Sequence, residues 1–504
     1  MKLRDLLRDV PVRTSDLDVE ITSVTADSRL AIPGALFVAV PGFKTDGAKF
    51  IDSAVSKGAA AIVSESSGAP ASAAAFVQVD DARAALALIA ANFYGRPAGK
   101  LSLAGVTGTS GKTTTTKMIE SIFDAAGEPV GLIGTIEYRA GDERLMADRT
   151  TPDAVVLQQW FAKMVDAGVR HAVMEVSSHA LTLKRTHGIR FAAAVFTNLS
   201  QDHFDFHKDF EDYFAAKRIL FDQIDRSRKS AIVNIDDDYG RRLASELGDC
   251  VVTFGRGTSA GIHPDIYPLD GFEISVRGLH GRLATPAGEV RVESRLLGAP
   301  NLYNWLGAVG AALSVGIDIA TIEAGIRSLA VVRGRFEYVQ SDGGPTVIVD
   351  YAHKPDALEK LLQAVRDLAA GRRVVLLFGC GGDRDKGKRA QMGAIAARLA
   401  DQTVLTSDNP RGEKPEAILD DIESGMRGAA NYARIADRRE AISRTISEAA
   451  DDDVIVIAGK GHESYQVVGD QVIHFDDREE AERALKRRQG KTRHENRTSK
   501  SASN

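Results

Sequence analysis

Residues 101–116, LSLAGVTGTSGKTTTT, constrain what this chain can fold into more than any other stretch. An apolar run (Leu101, Leu103, Ala104, Val106) enters a turn that contains Gly105, Gly108 and Gly111. Lys112 and four threonines follow, and a helical pattern then runs from Lys117 to Ala126. That order reads as strand, glycine loop, helix, with Gly-Lys-Thr at the helix start. Glycines let backbone N–H groups wrap a phosphate without Cβ clashes, a lysine there reaches the β- and γ-phosphates, and the next hydroxyl can sit on Mg²⁺. Gly108, Thr109, Ser110, Gly111, Lys112, Thr113 and Thr114 are therefore the candidate ATP residues. The first glycine of the usual motif is displaced: Val106 stands five places before Gly111, and Gly105 is one place off. The competing reading is an ordinary glycine turn between a strand and a helix.

At 504 residues the chain is too long for one core and points to about three domains. Charged residues are 26% and the formal net charge is −5, so no bulk attraction to nucleic acid is implied. No apolar run approaches the ~20 residues needed to cross a membrane. Asp5 and Asp9 interrupt the segment where a signal peptide would be continuously apolar. The two cysteines, Cys250 and Cys380, are far apart, which fits a reducing cytoplasm and argues against a disulfide framework.

Residues 1–98 alternate short strands (ITSVT, ALFVAV, AAAIVSE) with helical patterns (KFIDSAVSKG, DARAALALIAANFYG) and end at the turn signal Arg96-Pro97-Ala98-Gly99. Asp27, Ser28 and Arg29 form either a polar strand end or a contact for an anionic or ribose-bearing ligand.

Residues 99–332 continue the alternation of strand and helix, which predicts a mostly parallel sheet. HAVMEVSSHA is an apolar strand running into Glu175, the usual Mg²⁺-side carboxylate of a nucleotide site, with Asp350 in TVIVDYAH as a competitor. FAAAVFTNLSQDHFDFH breaks from a strand into a polar cluster. His203 and His207, four apart, would suit zinc on a helix, but no further ligand is suitably spaced, and Asp202 with Asp205 favours Mg²⁺. Residues 250–297 (VVTFG, FEISVRG, EVRVESRLLG) read as a small antiparallel patch. In the helix after them, Asn301 and Asn304 share a face and either cap it or meet a base edge.

Residues 333–487 carry four strand-like runs, PTVIVDYA, RRVVLLFG, QTVLTSDNP and DVIVIAGKGHE, separated by helical patterns. This is a second parallel unit, whose ligands bind beyond the carboxyl ends of the strands. The run Gly379-Cys380-Gly381-Gly382-Asp383-Arg384 has Arg384 where a dinucleotide fingerprint needs glycine, so NAD binding is discounted. Cys380 reads as a small residue beside a glycine turn. The segment 488–504 reads as a disordered basic tail.

Taken together the motifs resemble one family, the Mur ligases of bacterial cell-wall synthesis. The matching set is TGTSGKT at 107–113, EVSSHAL at 175–181, FTNLSQDHFDFH at 196–207, Lys217, NLYN at 301–304, RGRFE at 333–337 and DYAHKPDAL at 350–358. GCGGDRDKGKR, DNPR at 408–411 and GKGHE at 459–463 look like the branch that adds meso-2,6-diaminopimelate.

The resemblance implies three α/β domains. These are a UDP-substrate domain (1–98), a central P-loop ATP domain (99–332) and a C-terminal Rossmann-like amino-acid domain (333–487). It implies an ADP-forming ligase working through an acyl phosphate. The substrates would be a UDP-muramoyl dipeptide, meso-diaminopimelate and ATP, and the expected protein is a cytoplasmic monomer that binds neither nucleic acid nor membrane.

By the same resemblance Lys112, His203 and Lys217 are catalytic. Thr113, Glu175, His203 and Lys217 hold Mg²⁺, with Lys217 as a carbamate, since a charged lysine of pKa ~10.4 cannot ligate a metal. Ser28, Thr150, Thr151, Ser177 and Arg185 hold the UDP substrate, while Leu183 departs from a glutamine seen in relatives. Asn301, Asn304, Arg335 and Asp350 serve the nucleotide. Arg384, Asp408, Asn409, Pro410, Arg411, Gly459 and Glu463 bind the amino acid. An arginine fork suits its distal carboxylate, and an acidic side chain suits its ammonium. The rivals are an L-lysine-adding ligase, a folylpolyglutamate-type ligase and a nucleotide-binding protein without ligase activity.

Overall fold

The computed structural model describes all residues except 13–17, 43–44, 67–74, 258–260, 340–342 and 502–504, with the backbone alone for 491–501. The chain forms two compact units. One comprises Met1–Tyr267, Ala284–Val290 and Tyr303–Gly325; the other comprises Pro268–Leu283, Arg291–Leu302 and Ile326–Asn504.

The first unit holds two sheets. A four-stranded parallel sheet is built from Ser23–Thr25, Ala35–Ala39, Ala61–Ser64 and Ala75–Gln78, in that order. Its last strand has no counterpart in the sequence reading. Helix Ala82–Phe93 covers it, capped by the Asp81 carboxylate, which accepts the Ala84 N–H at 2.8 Å.

The larger sheet has eight strands in the order Val251–Phe254, Ala231–Asn234, Ala193–Phe196, Ser102–Thr107, His171–Glu175, Val130–Ile133, Glu137–Ala140 and Glu143–Met146. All are parallel except the last two, which return as an antiparallel ribbon. Ser102–Thr107 lies between His171–Glu175 and Ala193–Phe196. The chain leaves it to one side and later comes back on the other, so its carboxyl end is a switch point of the sheet, where ligands of such folds bind.

Two expectations change here. VVTFG is not part of an antiparallel patch: Val251–Phe254 extends the large sheet in parallel, because its apolar residues pair with Ala231–Asn234. An antiparallel pairing does follow, of Glu273–Ser275 with Gly278–His280. His203 and His207 lie in a turn region rather than on a helix; the next helix begins only at Phe210.

The second unit is built on a six-stranded sheet. Its order is Glu337–Val339, Thr346–Asp350, Val454–Ala458, Val374–Phe378, Gln402–Leu405 and Tyr432–Arg434. Only the first strand is antiparallel. The runs VVLLF and VIVIA are buried along their whole length. Such uninterrupted β-branched and apolar runs suit strands covered on both faces. Helix Pro355–Ala369 starts with proline at its first position and buries Leu358, Leu361, Leu362 and Val365 as one stripe. A hairpin, Tyr465–Val468 with Gln471–His474, follows the last parallel strand. The final helix spans Asp477–Ser501 and so runs through residues that composition assigns to a disordered tail.

Candidate active site

The glycine loop emerges from Ser102–Thr107, and helix Lys112–Ala125 begins directly after it. Two of its glycines are required by space and by backbone. Gly108 has φ +147°, and a Cβ there would lie 1.9 Å from Thr197 Oγ1; Gly111 has φ +85°, and a Cβ would lie 2.5 Å from Asn304 Oδ1. Neighbouring loops lock the turn. Asn198 Oδ1 accepts the Ser110 N–H at 3.0 Å, Thr197 Oγ1 donates to Ser110 O at 2.6 Å, and Thr109 N donates to Asn198 O at 2.9 Å. The sequence points to none of these Thr197 and Asn198 contacts.

Two lysines converge on one carbonyl. Lys112 Nζ donates to Gly108 O and Thr109 O at 2.9 Å each, and Lys217 Nζ donates to Gly108 O at 2.8 Å. Lys217 is fully buried on helix Phe210–Asp222, and its Nζ lies 4.1 Å from the centre of the Tyr213 ring. Burial, with the nearby Lys112 charge, pushes the Lys217 amine well below its ordinary pKa, against a weaker pull from Asp202.

Glu175 ends its strand beside this loop. Its Oε2 accepts from Thr113 Oγ1 and Thr135 Oγ1, both at 3.0 Å, and its Oε1 accepts the Thr135 N–H at 2.7 Å. Of the two competing carboxylates, Glu175 is therefore the one paired with the loop threonine. Thr135, which the sequence reading passed over, also bonds Thr150 Oγ1 at 3.0 Å. Thr151 Oγ1 donates to Glu175 O at 2.8 Å and to Ser177 Oγ at 3.3 Å, and Arg185 Nη1 donates to Thr151 O at 2.7 Å. Thr150, Thr151, Ser177 and Arg185, more than thirty positions apart at their extremes, thus come together around Glu175. Ser28 sits elsewhere in the unit, buried on a turn whose carbonyl takes Lys57 Nζ at 3.0 Å.

Among the described residues no group of three or more His, Cys, Asp or Glu is placed to hold a metal ion. His207 is buried and bonded to Ser178 Oγ at 3.0 Å and Asp212 Oδ2 at 3.2 Å, a packed structural histidine. His203 adopts φ +57°, and its Nε2 lies 3.4 Å from Asp202 Oδ2. Oxygen donors such as Thr113 and Glu175 suit Mg²⁺, which keeps waters and phosphate oxygens in its shell and needs few protein ligands.

The two asparagines make different hydrogen bonds. Asn304, in the first unit, accepts from Thr115 Oγ1 at 3.2 Å behind the glycine loop. Asn301, in the second, donates to Leu297 O at 2.8 Å and secures its own helix start.

In the second unit the loops after four parallel strands meet. Gly379 and Gly382 are needed for this packing, since Cβ atoms there would lie 2.0 Å from Thr406 O and 1.9 Å from Pro410 O. Cys380 is buried, and its thiol is pushed up to about 12 by desolvation, which suits packing rather than nucleophilic chemistry. Asp350 accepts the Phe336 and Ala352 N–H groups at 2.7 and 2.8 Å, and burial raises its carboxyl despite Arg335. The Arg335 guanidinium carbon lies 4.9 Å from the centre of the Tyr351 ring.

The Asp408–Arg411 loop is tied to the hairpin. Gln466 Nε2 donates to Asp408 O at 2.7 Å, Val467 N to Asn409 Oδ1 at 3.0 Å, Arg411 N to Val467 O at 3.0 Å and Gly469 N to Arg411 O at 2.8 Å. Arg411, at φ +52°, uses Nη1 on Gly382 O at 3.0 Å. Gly459, at φ +119°, brings its backbone against Asp408 Oδ2, which a Cβ would meet at 2.8 Å. Arg384 is exposed nearby, its Cγ 3.7 Å from where a Gly381 Cβ would stand.

Behind these loops the fully buried Arg438 forks onto Asp477 with two bonds of 2.7 Å and donates to Ser407 O and Ala458 O. Those carbonyls belong to the residues just before Asp408 and Gly459. Neither Arg438 nor Asp477 stands out in sequence.

Comparison with known proteins accounts for both units. Residues 20–94 match the model for the Mur ligase family catalytic domain, 106–312 the Mur ligase middle domain and 334–461 the Mur ligase glutamate ligase domain. A relative from Gloeobacter violaceus named UDP-N-acetylmuramoyl-L-alanyl-D-glutamate–2,6-diaminopimelate ligase is 48% identical over 97% of this chain and 99% of its own. One of the same name from Bacillus cereus is 46% identical over 96% and 98%. A solved structure titled with that enzyme's name superposes with a TM-score of 0.70 at 30% identity, covering 97% of this chain and 99% of that one. The chain belongs to the Mur ligase family.

Proposed function

We infer that this chain is the ATP-dependent, ADP-forming ligase that joins meso-2,6-diaminopimelate to UDP-N-acetylmuramoyl-L-alanyl-D-glutamate in peptidoglycan synthesis. The observation that carries this is full-length identity near one half to relatives bearing that name. The reading extends to the three domains 1–98, 99–332 and 333–487, and to a monomer working in the cytoplasm.

A carboxylate is a poor electrophile because its leaving group would be oxide. In the first step a substrate carboxylate oxygen attacks the γ-phosphorus of ATP and ADP leaves. In the second the amine of the incoming amino acid attacks the acyl carbon, the C–N bond forms, and phosphate leaves with the carbonyl–oxygen bond broken. The protein's part is positioning and charge stabilisation. Lys112 supplies a cation at the glycine loop, where the transferring phosphoryl group would bind. Thr150, Thr151, Ser177 and Arg185 orient the dipeptide substrate beside it.

Thr113 and Glu175 fit Mg²⁺ because their oxygens already adjoin, and a bound Mg²⁺ would supply charge neutralisation at the phosphates. Lys217 fits only after conversion. An amine whose pKa burial lowers gives up its ammonium proton more readily; the free amine adds to CO₂ with loss of a further proton, and the carbamate so formed adds two anionic oxygens while keeping one N–H. His203 is the further candidate ligand.

For the amino acid, Arg411 retains Nε and Nη2 with no acceptor among the described residues, which suits a carboxylate fork. L-Lysine has no distal carboxylate and would leave that fork unmatched.

The test is phosphate release from ATP with Mg²⁺ and the UDP-muramoyl dipeptide, adding meso-diaminopimelate or L-lysine separately. Release with diaminopimelate alone is expected. Release with lysine alone would retain the ligase and overturn the specificity, and silence with both amino acids would overturn the ligase reading.

A further inference from the structure

Lys460 is the buried hub of the amino-acid loops. Its side chain has no exposed surface, although it stands in a Gly-Lys-Gly run. Its Nζ donates to Asn409 Oδ1 at 3.0 Å and pairs with Glu463 Oε2 at 3.3 Å. An ammonium can only donate, so it dictates how both partners are presented. Asn409 must turn its carbonyl oxygen to Lys460, where the Val467 N–H also reaches it at 3.0 Å. The amide NH₂ is thereby forced the other way and donates to the same Glu463 Oε2 at 3.0 Å. Two donors hold one oxygen of Glu463, and Oε1 has no hydrogen-bond partner among the described residues. The Tyr465 ring, centred 5.4 Å from Nζ, stands beside this triad.

We propose that Lys460 is a positioning residue for the incoming amino acid, which fixes the Asn409 amide and one oxygen of Glu463 so that the other oxygen receives the ligand's ammonium. This rests on the reading of the second unit as the amino-acid-binding unit. Lys460 touches no reacting atom; it acts through Asn409 and Glu463. Without it, Asn409 Oδ1 keeps only the Val467 N–H and Glu463 Oε2 keeps only the Asn409 amide, so both are held less firmly. The effect falls on amino-acid binding and not on ATP or the UDP substrate.

The experiment measures KM for each of the three substrates, and kcat, in Lys460→Met and Lys460→Gln, reading the amino-acid KM on whichever amino acid the wild type accepts. The function reading therefore stands or falls on the wild type, and the role of Lys460 on the variants. The expected result for Lys460→Met is an amino-acid KM raised at least about tenfold, with KM for ATP and the UDP substrate within about twofold. Lys460→Gln, which keeps a donor near Asn409, is expected to show a smaller rise, and it carries the test if the methionine variant does not fold. In a Glu463→Gln background the added effect of Lys460→Met should shrink, because the carboxylate through which it acts is gone. An unchanged amino-acid KM in either folded variant, or equal changes for all three substrates, would overturn the proposal.

Discussion

Replacing Arg438 by methionine removes both bonds to Asp477 and both carbonyl contacts while leaving a side chain of similar length. Asp477 has no exposed surface, so its carboxylate is stranded without a counter-ion. Breaking one side of a buried pair costs about 3–5 kcal/mol. Asp477 also begins the helix Asp477–Ser501, whose N-terminus returns about 0.5–1 kcal/mol to an anion. The net loss is therefore about 3 kcal/mol, and at roughly 2–4 °C per kcal/mol the second unit should melt about 6–12 °C lower. Calorimetry measures this directly. The double variant Arg438→Met with Asp477→Leu removes both charges and should recover most of the loss, because apolar replacement of a whole buried pair is close to neutral. The fork also holds the carbonyls that precede Asp408 and Gly459, so the single variant should raise KM for the amino acid more than KM for ATP. A shift under about 2 °C, or a double variant no more stable than the single, would refute the reasoning about the stranded charge.

Lys217→Met should raise the melting temperature and abolish ligation. Burial lowers the native amine's pKa below its unfolded value, so below the unfolded pKa the uncarbamylated amine costs stability, and that cost grows as pH falls. The stability gain in the variant should shrink as pH is raised toward 10, and a destabilised variant would contradict this. His353 and His462 are both held down to about 4, first by burial and then by cationic neighbours, against a hydrogen bond to Tyr351 O that pulls His353 up. The unfolded imidazoles bind protons below about 6.5 while the native ones do not, so the second unit should lose stability as pH falls from about 6.5 toward 4. His462→Gln should flatten that slope in urea unfolding, and an unaltered slope would count against it. Arg411→Ala should lower the preference for diaminopimelate over lysine by about 10- to 100-fold, the worth of one charge-assisted fork, measured as a ratio of kcat/KM values. An unchanged ratio would remove Arg411 from specificity.

Local pattern determined much of this protein. The strand–loop–helix at 101–116, the alternation that makes parallel sheets and the carboxyl-end loops are short-range signals, because periodicity and turn chemistry act over a few residues. Glu175 and Thr113 were legible as residue types at motif positions, whereas Lys217 was singled out by the family resemblance alone. What tertiary structure alone decided is which side chains meet. Only the fold puts Lys217 and Lys112 on one carbonyl, and burial, which depends on neighbours distant in sequence, lowers the pKa of the Lys217 amine. Thr135 joins Glu175 across forty positions, and of Asn301 and Asn304, three apart on one helix, the first bonds Leu297 O and the second Thr115 Oγ1. VVTFG looked like an antiparallel strand because strand direction is set by its pairing partner and not by its own residues. Nothing in the local sequence marks Lys460, Arg438 or Asp477 as buried, and the structure buries all three. A buried charge is stable only beside partners, and those partners come from other loops that no single stretch of sequence contains.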